Sequence, residues 1–96
     1  MAGQPITGAG YKHISANGSG VLKSAPGSLF SVTINTKGAA SNVLTLYDNT
    51  AASGTVLAVI DTTSQITVLD YYLDFAVGLS YALATGTAAD VTISFS

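Results

Sequence analysis

The stretch Phe30-Ser31-Val32-Thr33-Ile34-Asn35 decides the fold. Its side chains alternate apolar and polar with a period of two, so an extended backbone puts Phe30, Val32 and Ile34 on one face and Ser31, Thr33 and Asn35 on the other. A helix would scatter the same groups around its circumference. The last residues repeat the rhythm, Val91, Ile93 and Phe95 alternating with Thr92, Ser94 and Ser96. Both segments read as strands buried on one side.

Working outward, Asn42–Asp48 carries Leu44 and Leu46 on one face and Val43, Thr45 and Tyr47 on the other. Thr55–Asp61 is apolar on both faces, the pattern of a central strand covered on each side. Gln65–Asp70 alternates Ile66 and Val68 against Thr67 and Leu69, and Tyr72–Phe75 and Leu79–Thr85 follow, separated at Gly78. Near the start, Tyr11–Ser15 and Gly20–Ser24 bracket Asn17-Gly18, a hairpin turn pair because both residues tolerate positive φ. Pro26-Gly27, Lys37–Ser41, Asp48–Gly54, Thr62–Ser64 and Gly86–Asp90 supply further turns, with Asp48 and Asn49 suited to Asx turns. Helix signals are missing throughout. The expectation is an all-β, single-domain antiparallel β-sandwich or jelly-roll-like barrel of about eight short strands over residues 11–96, preceded by an extended arm, Met1–Gly10, whose three glycines and Pro5 carry no periodicity.

Composition narrows the chemistry. The 96 residues include one histidine, three lysines and five aspartates, but no cysteine, arginine, glutamate or tryptophan. Charged residues are 8 % of the chain and apolar residues 48 %, against roughly 25 % charged in ordinary soluble domains. The surface must therefore be built of Ser, Thr, Gly, Ala and Asn, and such a neutral surface does not repel copies of itself or other proteins. Lys12, Lys23 and Lys37 are scattered, so nucleic acid is not an expected partner. Met1–Gly10 lacks the basic and apolar regions of a secretory signal, and no apolar run approaches a membrane-spanning length, so no membrane partner is expected either.

No set of residues suggests a catalytic, cofactor or metal site. His13 lacks a spaced nucleophile or further ligands and reads as a structural or surface group. The pairs Asp70 with Asp74 and Asp48 with Asn49 can be weighed as a carboxylate couple and a calcium corner, but four of the five aspartates sit at or beside strand ends, where carboxylates cap turns. Tyr71 and Tyr72 are neighbours on a strand and must point to opposite faces, one toward the core and one toward solvent. The candidate interface residues are Gln4, Pro5 and Ile6 in the arm, with Tyr11, Tyr71 and Tyr72.

From Lys23 to Asp61 the run Leu29-Phe30-Ser31-Val32-Thr33-Ile34-Asn35-Thr36-Lys37-Gly38, followed by Leu44-Thr45-Leu46-Tyr47-Asp48-Asn49-Thr50-Ala51-Ala52-Ser53-Gly54-Thr55-Val56, resembles small structural proteins of tailed bacteriophages. Phe75–Leu79 and Thr85–Ile93 are similar to the closing strands of the same group, so the resemblance covers about residues 20–96. It implies a virion component made in the host cytoplasm and placed on the capsid exterior. The implied role is a decoration or cement protein bound to the major capsid protein or another virion protein as a homodimer or homotrimer. The group has no catalytic residues or cofactors to carry over. A carbohydrate-binding or adhesive module of a head or tail fibre is the competing expectation, suggested by Tyr11, Tyr47, Tyr71, Tyr72 and Tyr81 and weakened by the missing tryptophan. An enzyme fragment is the third.

Overall fold

The computed structural model describes residues 10–64 and 67–96; most of the arm, with Gln4, Pro5 and Ile6, and also Gln65 and Ile66 of the expected Gln65–Asp70 segment, lie outside the described residues. Eight strands follow one another: β1 (Gly10–Ile14), β2 (Gly18–Lys23), β3 (Gly27–Thr36), β4 (Val43–Asp48), β5 (Thr55–Asp61), β6 (Val68–Phe75), β7 (Leu79–Ala84) and β8 (Asp90–Phe95). They form two antiparallel four-stranded sheets, ordered β1-β8-β3-β6 and β2-β7-β4-β5. The outermost partnerships are nested, β1 with β8, β2 with β7, β3 with β6 and β4 with β5, as in one long hairpin folded over on itself. That is the jelly-roll arrangement of a β-sandwich.

Alternation builds the core as the sequence requires. Leu29, Val32 and Ile34 of β3 and Val91 and Ile93 of β8 face Leu44 and Leu46 of β4 and Leu79 and Leu83 of β7, and all nine are buried. Phe75, Ile14 and Ile60 close the ends and flanks of this layer. At roughly 1.5–3 kcal/mol for each fully buried aliphatic side chain, this layer is the main favourable term in folding.

Five sequence expectations change. Asn17-Gly18 does not close a hairpin: β1 lies in the first sheet and β2 in the second, and the Asn17 amide donates to the Gly86 carbonyl (3.0 Å) where the chain crosses. Only the β4–β5 connection joins neighbours within one sheet. Tyr72–Phe75 is no separate strand, because β6 runs unbroken from Val68 to Phe75. Phe30 is displaced from the inward row by an irregularity between Leu29 and Ser31, and its ring meets Tyr72 with centroids 6.3 Å apart. Finally, β5 is an edge strand and not a central one, with Val56 and Val59 exposed. Gly10, expected in the arm, opens β1 opposite Phe95.

The crossings at one end of the sandwich converge on Asn42, whose side chain is fully buried. Its Nδ2 donates to Asn17 Oδ1 (2.9 Å) and to the carbonyls of Ala84 (3.2 Å) and Thr85 (2.8 Å), while its Oδ1 accepts from the Thr62 hydroxyl (2.7 Å) and the Ala89 N–H (3.1 Å). Gly38 packs so tightly here that a Cβ would stand 2.5 Å from Thr62 Oγ1 and 2.7 Å from Asn42. Removing the amide strands several buried polar groups at about 1–3 kcal/mol each. Asn42→Ala is therefore expected to cost at least about 3 kcal/mol in urea denaturation, in the range of Leu46→Ala at about 2–5 kcal/mol; a loss below about 1 kcal/mol would remove Asn42 as the organiser of this end.

Candidate functional site

Residues directly opposite each other on neighbouring strands share a face, so the registers show what each sheet presents outward. Across the first sheet the outward rows are Tyr11–Ser94–Ser31–Asp70 and His13–Thr92–Thr33–Val68. This face is mostly hydroxyl and carboxylate. Across the second sheet they are Ser19–Ala82–Thr45–Val59, Val21–Ser80–Tyr47–Val56 and Ala84–Val43–Asp61. Valine and alanine predominate on this face, with Tyr47 and the hydroxyls of Ser19 and Thr45 among them; Ser80 is fully buried under the Asn49 carbonyl, to which it donates (2.7 Å), and Asp61 is the one charge in these rows. Val21, Val56 and Val59 are exposed, and Val59 is 65 % exposed.

The polar face carries the only histidine in a structural tie. His13 Nε2 lies 2.6 Å from Asp90 Oδ1, joining β1 to the start of β8. The Asn35 amide donates to the same carboxylate (2.9 Å) and to Thr92 Oγ1 (3.1 Å). The Asn35 bond first, and His13 second, hold the Asp90 carboxyl below its ordinary range.

Asp48 and Asp61 cap backbone turns. Asp48, expected to fold onto its own turn, instead crosses to the β6–β7 turn, where it accepts from the N–H groups of Ala76 (2.9 Å), Val77 (2.8 Å) and Gly78 (3.3 Å). The bonds from Ala76 and Val77 keep its carboxyl low, as the Thr63 hydroxyl does for Asp61. Asn49 makes the local turn, donating to the Ser53 carbonyl (2.9 Å). Asp74 accepts from the Ser28 hydroxyl (2.7 Å). Asp48 and Asn49 are thus engaged with the backbone, and Asp70 and Asp74 lie four residues apart along β6 and do not converge as a carboxylate couple.

The structure separates the tyrosines expected at an interface. Tyr11 and Tyr72, each 74 % exposed, stand on β1 and β6, the opposite edges of the first sheet. Tyr71 turns inward and packs against the core, as the alternation requires, and burial raises its phenol above the usual range. It lines a cavity of about 220 Å³ between the β5 and β6 edges, with Ile34, Ile60, Asp61 and Leu69. His13 is on β1, across the sheet from that cavity. The sequence showed Thr55–Asp61 to be apolar on both faces; what it did not show is that the irregularity at Leu57 brings Val56 to the same outer face as Val59. No family model matches the chain, and no curated protein matches it either.

Depressed carboxyl groups stabilise the fold above their unfolded pKa, near 4, and that stabilisation is lost as pH falls through the lower folded values. Circular-dichroism melts from pH 7 to pH 2 should show Tm falling below about pH 4, with Asp48→Asn lowering Tm at pH 7 and flattening the acid limb. Parallel curves for the two proteins would show that Asp48 contributes nothing through its charge.

Proposed function

We propose that the chain is a non-enzymatic structural protein of a tailed-phage virion, a capsid decoration or cement protein bound to the shell through the outer face of its second sheet. One observation carries the docking half of this reading. The outer face carries exposed Val21, Val56 and Val59 beside half-buried Val43, Tyr47 and Ala82, with Ser19 and Thr45 among them and Asp61 as its one charge at the corner, so a partner can cover most of it without desolvating ions. The polar first face, rich in serine and threonine, is suited to remain in water.

The virion half rests on the resemblance of residues 20–96 to phage structural proteins, and the jelly roll agrees with it at the level of architecture, since that fold recurs in viral coats. The partner is the major capsid protein or another virion protein.

Mass spectrometry of gradient-purified particles tests both halves. The wild-type chain is expected in the particle band, Val21→Glu in the soluble fraction, and Thr92→Glu, on the other face, with the particles. Wild-type protein found only in the soluble fraction would dismiss the virion role; Val21→Glu retained as well as wild type would dismiss the face.

A further inference from the structure

The β5 edge is built to pair, and we infer that its occupant is a second copy of this chain. Each sheet has two lateral edges, β1 and β6 in the first and β2 and β5 in the second. Edge strands expose unpaired backbone donors and acceptors, and soluble proteins protect them with charge, bulges or irregular backbone. Three of these edges are protected. β1 carries Lys12 and His13, β2 ends on Lys23 after a register shift at Val21, and β6 carries Asp70 and Asp74 around a left-handed Tyr72 (φ 51°). β5 has a bulge at Leu57, but its regular part, Ala58–Asp61, carries no charge before Asp61 and shows solvent Val59.

A second copy fits because the strand is complementary to itself. One irregularity, which sets Leu57 out of register opposite Leu46–Tyr47, lies in its first half, and the regular part runs from Ala58 to Asp61. Antiparallel pairing about a two-fold axis at Val59 places Val59 against its own copy on the outer face and Ala58 against Ile60 of the second copy on the inner face, so outward groups meet outward groups. It also sets the two Asp61 carboxylates about 14 Å apart, four residues at ~3.4 Å, beyond the ~8 Å screening length of physiological salt. Parallel pairing would stack them. The result is an eight-stranded sheet with a continuous valine face, and its seam lies alongside the cavity lined by Ile60, Asp61 and Tyr71. The inference does not rest on the virion reading, since it concerns the edge and not the face.

The absence of cysteine makes a clean test of the full-length chain possible. Directly opposite Cβ atoms stand about 4.5–5.5 Å apart, so Val59→Cys should become a disulfide-linked dimer under mild oxidation while Val21→Cys, on the far edge, does not. Sedimentation of the wild type should show a monomer–dimer equilibrium, weakened at least ten-fold by Val59→Lys with an unchanged circular-dichroism spectrum. A wild type that stays monomeric at the highest soluble concentration overturns the inference, as does cross-linking of Val21→Cys as readily as Val59→Cys, or a dimer indifferent to Val59→Lys. Val21→Glu reports on the docking face alone, so the two ideas fail separately.

Discussion

Every connection but one passes between the sheets, and the backbone groups released at those crossings must be satisfied before the two inward faces can close on each other. Asn42 meets that demand at one end. A single amide, in the loop after β3 where Ala40 and Ser41 sit at positive φ, binds the loops after β1, β5 and β7, the last of which has Thr85 at positive φ. Such backbone conformations are costly for residues with a Cβ and persist only where surrounding bonds fix them. At the opposite end Asp48 has the matching part, filling the donors of the β6–β7 turn with its own carboxylate. The nested strand order depends on both ends being closed.

This division explains what could be read from the residues. Period-two alternation marked β4 and β8 to within about a residue and β3 from Phe30 on, and it named their inward rows except at Phe30, because one face of each is buried against the opposing sheet. Partnership was not legible. Asn17-Gly18 says that the chain turns, not which strand it meets next, and here the crossing is fixed by Asn42, twenty-five residues away. An asparagine in a loop looks like any turn residue until its neighbours in space are known.

The same limit governs the candidate site. Thr55–Asp61 has apolar side chains on both faces, a pattern shared by a strand buried on both sides and by an edge strand whose outer face awaits a partner. Composition bears on the choice only indirectly: a chain with 8 % charged residues has few groups with which to mark a face as solvent-exposed. What charge it has is spent unevenly, on three edges and on turns, leaving one face and one edge bare. Phe30 shows a smaller version of the problem, since a single irregularity turns a residue of the inward row toward Tyr72.

The position of β1 has a mechanical consequence. Among the described residues it is held along one side only, by β8, and Gly10 lies opposite Phe95 at the end of that pair. Tension applied through the residues before Gly10 would peel the ladder open like a zipper, rung by rung, and not shear all its bonds at once. The imidazole–carboxylate pair between His13 and Asp90 lies beyond the first three rungs, so it would be one of the later contacts to part.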